Sequence, residues 1–391
     1  MRFLVVFGIL FCFTGVLCAQ TFGYNNCNYS ILSDTTVSLV TYQKNGKNIG
    51  QEVLTLDSVV VYKKKKYKVE KIERSAFECE FPKTAFHLHG VKQLCLPQTL
   101  SEIDSNVFYG YFNSLQSVTL PDGLTFIGSN AFANLPSLTE VNVKGVTRIG
   151  DWSFSLNPSL SQVALDTCVQ VIGHNSFFNC SRLKNINLHN VRYIEDHAFK
   201  GTAIESLYIP HCKIIGEFAF ADCRMINSIS FSDKLQLISD FAFHNSSSLR
   251  RLCVPSGKIG EGAFMGCTSL NKVELSDAIE SIGQAAFFGC SALNSIHIPK
   301  FITRIEAMTF MDCINLKSIT LPNTLTLIGE SAFAGSGLEE IVIPASVLEI
   351  QDNAFSNCIA LKKVVMQGGK IKIGENVFPE NVNIVWTKQC E

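Results

Sequence analysis

The sequence predicts a solenoid of stacked coils, β-rich but of mixed α/β class. Each coil of about 22 to 23 residues is expected to contribute one short parallel strand and, on the convex side, a short helical turn. The first observation is a Phe that recurs 14 times, mostly at intervals of 21 to 23 residues, with Ile five residues before every copy. The recurring residues are Phe77, Phe108, Phe132, Phe154, Phe177, Phe199, Phe220, Phe243, Phe264, Phe287, Phe310, Phe333, Phe355 and Phe378. The second observation is a motif, Leu-x-x-Ile-x-Leu, that stands between successive copies and is often followed by Pro.

Each element of the coil follows from a local pattern. Alternating apolar residues, as in Leu316 to Leu321, predict a strand with one buried face, and Pro322 ends it because proline has no N–H to donate. The residue two after the recurring Phe is Gly, Asn or Asp in 11 of 14 copies, which predicts a tight left-handed turn there. One unit of this length cannot bury its own apolar side, but stacked units bury a continuous column.

The repeated unit resembles the BspA-type leucine-rich repeats, which read approximately Leu-x-x-Ile-x-Ile-Pro-x-x-Val-x-x-Ile-Gly-x-x-Ala-Phe-x-x-Cys. Residues Leu316 to Phe333 reproduce most of this unit, and the resemblance covers about residues 54 to 386. It implies a leucine-rich-repeat solenoid that is secreted or associated with the cell surface of mucosa-dwelling microbes or parasitic protists. It also implies a role in adhesion to host or neighbouring cells, without a catalytic site.

Four segments are expected. Residues 1–19 are predicted to be a signal peptide, since Met1-Arg2 precedes an apolar run to Leu17 and small residues before Gln20. Residues 20–71 are expected to form a lead-in and a capping β-hairpin, 72–378 the solenoid, and 379–391 a cap strand and tail. The hairpin tip carries four consecutive lysines at 63–66, which suit either a patch for acidic surfaces or a tip protected from edge pairing.

Charge and motif content exclude several function classes. The chain has 391 residues, 33 Lys+Arg, 34 Asp+Glu and a formal net charge of −1, which argues against nucleic-acid binding. No later apolar run is long enough to span a membrane, so no transmembrane span is expected. No catalytic, phosphate-binding or metal-binding motif is present, so we expect no catalytic residue, cofactor or metal.

The cysteines follow the repeat. Six of the 15 lie three residues after the recurring Phe, which predicts small apolar groups of the core rather than a disulfide framework. They are Cys180, Cys223, Cys267, Cys290, Cys313 and Cys358. Cys267, Cys290 and Cys313 occupy consecutive coils and are expected to be buried and reduced.

Three sequons predict N-glycosylation, at Asn28, Asn179 and Asn245. The last two fall at the turn two residues after the recurring Phe. An unmodified Asn chosen for its turn conformation remains the alternative.

Two further function classes compete with adhesion. A polysaccharide-acting β-solenoid enzyme would need clustered carboxylates, and a structural coat protein would need only repeats that assemble. The residues between the inward strand positions include a single carboxylate among thirteen, which disfavours the enzyme. They are Cys95, Thr119, Asn142, Ala164, Asn187, Tyr208, Ser230, Cys253, Glu274, His297, Thr320, Val342 and Val365.

One concave patch stands out as a candidate ligand site. Tyr208, Arg251, Lys272, Glu274 and His297 project from neighbouring coils, and Tyr and Arg are enriched in binding hot spots. The exposed columns as a whole carry as many basic as acidic groups, so broad electrostatic capture is not expected. The predicted partner is a protein or glycan of a host cell, a neighbouring cell or the matrix.

Overall fold

A computed structural model describes residues 20–25, 27–42, 52–77, 88 and 90–387. The expected signal peptide, residues 1–19, lies outside them. Across the described ranges the chain forms 33 short strands and no α-helix. The strands stack into the predicted solenoid, and the prediction of its fold class is confirmed.

One row of parallel strands forms the concave face. It divides into hydrogen-bonded groups of six, two, two, two and three strands. Its members are β4 (Val53–Thr55), β7 (Gln93–Cys95), β9 (Ser117–Thr119), β11 (Glu140–Val143), β13 (Gln162–Leu165), β15 (Asn185–Ile186), β17 (Ser206–Tyr208), β19 (Ser228–Ser230), β21 (Arg251–Val254), β23 (Lys272–Leu275), β25 (Ser295–His297), β27 (Ser318–Thr320), β29 (Glu340–Ile343), β31 (Lys363–Met366) and β33 (Asn383–Trp386). In most of them the first and third residues are exposed and the second is buried, as alternation requires.

Each coil has a second parallel strand, where the sequence predicts one strand. These strands end on the Ile that precedes each recurring Phe, and most are two residues long, too short for alternation to indicate them. The row begins at β6 (Lys65–Ile72) and continues with β8 (Glu102–Ile103), β10 (Phe126–Ile127), β12 (Arg148–Ile149), β14 (Val171–Ile172), β16 (Tyr193–Ile194), β18 (Ile214–Ile215), β20 (Leu237–Ile238), β22 (Gly257–Ile259), β24 (Ile279–Ile282), β26 (Arg304–Ile305), β28 (Leu327–Ile328), β30 (Glu349–Ile350) and β32 (Lys372–Ile373).

The convex side consists of turns, so the predicted helical turns are wrong. Alternate backbone N–H groups around the recurring Phe donate to the next coil, and those between them close single turns within the coil, so no helix forms. The N–H of Phe132 donates to the carbonyl of Ser153 at 2.8 Å, and that of Asn134 donates to Ser155 at 2.9 Å. Residues two before and two after the Phe have positive φ in most coils, for example Asn130 at 56° and Asn134 at 58°. The predicted left-handed turn is present, together with a second one that the sequence does not indicate.

The recurring Phe side chains form the centre of the core. From Phe108 to Phe355 all of them are fully buried. Successive rings stack at about one coil spacing, as in Phe287 and Phe310, whose centroids lie 5.6 Å apart at an interplanar angle of 0°. Offset stacking of this kind adds to the burial of apolar area, so each coil is stabilised by both neighbours.

The N-terminal end is covered by a small antiparallel unit. Strands β1 (Thr21–Tyr24), β2 (Cys27–Ile31) and β3 (Thr36–Tyr42) form a meander, and β3 extends the second row by pairing in parallel with β6. Strand β5 (Val59–Tyr62) pairs with β6 as a hairpin. Its two turn residues, Lys63 and Lys64, have φ of 49° and 66°, the conformation of a two-residue hairpin loop.

Candidate binding groove on the concave face

A groove of about 670 Å³ opens on the concave face over strands β19, β21 and β23. Its polar and charged wall includes Ser228, Arg250, Arg251, Lys272 and Glu274, with Met225 at one side. The strand register brings these residues together, since Arg251 lies opposite Lys272 and Cys253 lies opposite Glu274. Because parallel strands are about 4.8 Å apart, these side chains project side by side.

The groove has an excess of positive charge. The Lys272 ammonium contacts the Glu274 carboxylate at 2.5 Å. This contact, with a smaller contribution from Arg251, lowers the pKa of Glu274, so the carboxylate is ionised and already paired. Within the described ranges, neither Arg250 nor Arg251 forms an ion pair at contact distance with a carboxylate. The groove therefore presents two unpaired guanidinium groups.

Three of the five predicted site residues meet in this groove: Arg251, Lys272 and Glu274. Tyr208 lies on the same face, 59% exposed, on β17, one strand before the groove, and its ring contacts His189 at 5.6 Å between centroids. His297 is also exposed on the concave face, one strand beyond Glu274. Neither ring lines the groove.

Arg250 and Met225 are among the groove residues that were not predicted from the sequence. Arg250 precedes the strand, a position outside the columns that alternation marks as exposed. Met225 is 50% exposed and stands directly before the first apolar residue of its strand motif, where neighbouring coils carry Ser248 and Ser269. A bulky apolar residue in a column of small polar ones was the available signal.

The three predicted glycosylation sites differ in environment. Asn179 is exposed and has a φ of 56° at its turn. Asn245 is half-buried, and its Nδ2 donates to Asp222 Oδ1 at 3.2 Å. Asn28 is half-buried in β2, and its Nδ2 donates to Thr41 Oγ1 at 3.1 Å. A glycosylation site needs an exposed Asn with a free side-chain amide, and of the three residues Asn179 fits this requirement best.

The cysteines of the described ranges are all unpaired thiols. The consecutive residues Cys267, Cys290 and Cys313 are fully buried. Burial raises the pKa of Cys267 and Cys313 to about 12 and that of Cys290 well above its usual value. These thiols are therefore protonated at neutral pH and poor nucleophiles.

The described residues contain neither a candidate metal site nor a candidate membrane-spanning helix. The described residues include no group of three or more His, Cys, Asp or Glu side chains that could hold a metal ion. They also include no helix long and apolar enough to cross a membrane.

Comparisons with known proteins agree with the fold. A leucine-rich repeat protein from Bacteroides ovatus superposes with a TM-score of 0.66 at 22% identity, covering 94% of this chain and 100% of that one. A leucine rich cell surface protein from Faecalibacterium prausnitzii gives a TM-score of 0.46 at 22% identity, covering 95% and 96% of the two chains. No curated protein sequence matches the chain.

The family model that describes the BspA type leucine rich repeat region matches the chain in overlapping segments, residues 79–201, 147–258, 192–291 and 257–385. These segments span most of the solenoid, including every strand of the groove. The repeated Phe and Ile columns, the parallel rows and this match lead to one conclusion. The chain belongs to the BspA-type leucine-rich repeat family.

Proposed function

We propose that the protein is a secreted or surface-associated binding protein without catalytic activity. It attaches to a protein or glycan of a host cell, a neighbouring cell or the matrix through the concave groove. The observation that carries this proposal is the pair Arg250 and Arg251, which face the groove without a carboxylate partner in the described structure, beside the exposed Met225.

The chemistry of the groove suits recognition. Arg and Met are enriched in protein interfaces, and a guanidinium group binds carboxylate or sulfate with two parallel hydrogen bonds. Arg251 begins strand β21 and Arg250 directly precedes it, so the backbone that carries both is already ordered before binding. The partner is expected to place an acidic group between Arg250 and Arg251 and an apolar group against Met225.

The same features support a non-catalytic role. Glu274 is the carboxylate of the groove, and its pKa is lowered by Lys272. A general acid needs a raised pKa to hold its proton at neutral pH, and Glu274 has the opposite shift. The groove is therefore suited to holding an anion rather than to proton transfer.

The proposed location rests on the N-terminal apolar segment. We predict that the mature protein begins near Gln20, because small residues precede that position. N-terminal sequencing of secreted material tests this, and an intact Met1 would contradict it.

In a eukaryotic source, Asn179 is expected to carry a glycan. Replacing Asn179 with Gln should then remove the mass difference that glycosidase treatment produces there.

A panel of matrix proteins and glycans tests the binding proposal. The wild-type protein should bind at least one member, and Arg250→Ala/Arg251→Ala should lose that binding. Lys362→Ala/Lys363→Ala is the matched control, since these residues occupy the same two positions of a later coil. Equal binding by the two double variants would place the site elsewhere.

One observation favours a structural assembly role as the second candidate. The four residues of β33, at the end of the concave row, are all exposed and include Ile384 and Trp386. An exposed apolar edge strand is a template for pairing with another chain. Sedimentation tests this, because concentration-dependent filaments that disappear in Ile384→Lys would favour assembly over ligand binding.

A further inference from the structure

A second pocket lies beside the concave face, on the loops that lead from the concave strands to the second row. We call it the lateral pocket. It has a volume of about 450 Å³ and is lined by Thr167, Gln170, Asn190, Arg192, His211, Lys213 and Lys234. Four of these seven side chains are basic and none is acidic.

The basic side chains come from successive coils. The N–H of Lys213 donates to the carbonyl of Arg192 at 2.8 Å, so the two residues occupy equivalent positions one coil apart. Lys234 comes from the following coil. At about 4.8 Å per coil, the three cations extend over roughly 10 Å along the solenoid axis.

This arrangement departs from the pattern elsewhere in the molecule. Several lysines in other coils pair with a carboxylate one coil away, as Lys363 does with Glu340 and Lys372 with Glu349, each at 2.8 Å. In the structure described, Arg192, Lys213 and Lys234 make no ion pair. Like charges held about one coil apart repel one another, and an anionic partner would relieve this repulsion.

Two carboxylates close in sequence to pocket residues are already engaged. Glu195 binds Arg148, with Arg148 Nη1 and Glu195 Oε1 2.6 Å apart. Asp166 accepts hydrogen bonds from the backbone of Gly145 and Thr167, which lower its pKa. Both carboxylates therefore turn toward these partners. The pocket is left with ammonium, guanidinium and amide donors.

Aromatic rings continue the surface from the pocket to the concave face. The rings of His211 and His189 lie 5.1 Å apart, and those of His189 and Tyr208 lie 5.6 Å apart. His211 lines the pocket and Tyr208 is exposed on the concave sheet. Aromatic rings next to these three cations suit a chain of sugar rings that bear anionic groups.

We propose that the lateral pocket binds the sulfate or carboxylate groups of an acidic glycan chain. The chain lies along Arg192, Lys213 and Lys234 and crosses the rings of His211, His189 and Tyr208. This site is separate from the concave groove, since the two share no lining residue.

Binding of a heparin oligosaccharide at physiological ionic strength tests the proposal. Arg192→Gln/Lys213→Gln/Lys234→Gln is expected to weaken binding by about tenfold or more and to reduce its salt dependence, because released counterions follow the number of charge contacts. The melting temperature should stay the same or rise, since the variant removes like-charge repulsion. The control Lys317→Gln/Lys362→Gln/Lys372→Gln changes net charge equally and should retain binding.

Two further measurements identify the site. Heparin binding by the groove variant distinguishes the lateral pocket from the concave groove, and comparison with other polyanions distinguishes it from unspecific attraction of anions. Arg250→Ala/Arg251→Ala should keep heparin binding, so a failure of the groove proposal and a failure of this one are distinguishable. Polygalacturonate, which carries only carboxylates, should compete, and its strength relative to heparin indicates which group the pocket prefers. Undiminished binding by the pocket variant, equal loss in the control, or polyglutamate binding as tightly as heparin would overturn the proposal.

Discussion

At the scale of single residues, the position three after the recurring Phe has a defined chemical task. There the side chain of one coil donates a hydrogen bond to the Phe carbonyl of the coil before it. Cys313 Sγ lies 3.2 Å from the Phe287 carbonyl, and Ser246 Oγ lies 3.2 Å from that of Phe220. Asn157 donates in the same way to Phe132 at 2.9 Å. The cysteines are therefore weak donors as well as apolar filling.

Removing the consecutive thiols should change both stability and its pH dependence. Cys267→Ala/Cys290→Ala/Cys313→Ala is expected to lower the free energy of unfolding at pH 7 by a few kcal/mol, roughly 1 to 2 per site, through lost packing. In the wild type, unfolded thiols ionise above pH 9 while the folded ones stay protonated to about pH 12. Folding then binds more protons, so stability falls with pH in that window.

Each such thiol contributes about 1.4 kcal/mol per pH unit to this fall. Between pH 9 and 11, the free energy of unfolding of the triple variant should therefore fall less steeply than that of the wild type. The two slopes should differ by about 4 kcal/mol per pH unit. Denaturant unfolding over this range measures the slope. Identical slopes in the two proteins, or thiols that resist alkylation after unfolding without reductant, would show that these cysteines are not buried free thiols.

Two buried serines are predicted to reduce stability. Ser153 and Ser176 stand directly before the recurring Phe, where most coils have Ala, and their hydroxyls find no partner in the described structure. Ser153→Ala and Ser176→Ala should each raise the free energy of unfolding by about 1 kcal/mol, because a buried unsatisfied hydroxyl is removed. Ser246→Ala is the control and should be destabilising, since its hydroxyl is bonded. Thermal unfolding that ranks all three alike would contradict this expectation.

At the scale of elements, the convex turn depends on two left-handed residues per coil. The second of them was predictable because most coils place Gly, Asn or Asp there. The first was not, because the position includes Trp152, Phe218 and Met308, which rarely adopt positive φ. Hydrogen bonds to the next coil hold the backbone in this conformation, for example from Phe218 N to Asp240 O at 3.1 Å. Tertiary hydrogen bonding therefore outweighs local preference.

A pair of substitutions tests the cost of this conformation. Leu156 has a φ of 57° and is 39% exposed, so Leu156→Gly should be close to neutral or stabilising by up to about 1 kcal/mol. Gly289 occupies the equivalent position with a φ of 69°, and an added Cβ would meet nothing closer than 3.9 Å. Gly289→Ala should therefore cost about 1 kcal/mol through backbone strain alone. A stabilising Gly289→Ala in chemical denaturation would exclude strain at this position.

At the scale of the whole molecule, the repeat determines how much the sequence reveals. Each coil repeats the same environment. The spacing of the recurring residues therefore predicts the repeat length, the buried Phe and Ile columns and the exposed strand residues. The groove is only partly predictable. Arg251, Lys272 and Glu274 lie on predicted columns, whereas Arg250 and Met225 reach it from outside the strands. The lateral pocket combines loop residues such as Lys234 with strand-start residues such as Arg192, and only the stacking of coils brings them together.

The distribution of charge also emerges only at this scale. The formal net charge is −1, yet both pockets have more basic than acidic side chains in their walls. Acidic side chains lie elsewhere in cross-coil pairs, such as Glu205 with Lys184. The molecule therefore combines a nearly neutral overall charge with local basic surfaces, a distribution that favours selective capture over broad electrostatic attraction.

The most direct test of binding through the concave groove is quantitative attachment of labelled protein to cells or matrix of the kind it contacts. Arg250→Ala/Arg251→Ala is predicted to lower attachment by about tenfold or more, since hot-spot arginines commonly contribute over 1.4 kcal/mol. Its melting temperature should match that of the wild type, and Lys362→Ala/Lys363→Ala should attach normally. Full attachment by a normally folded Arg250→Ala/Arg251→Ala protein would contradict the claim that the concave groove is the binding site.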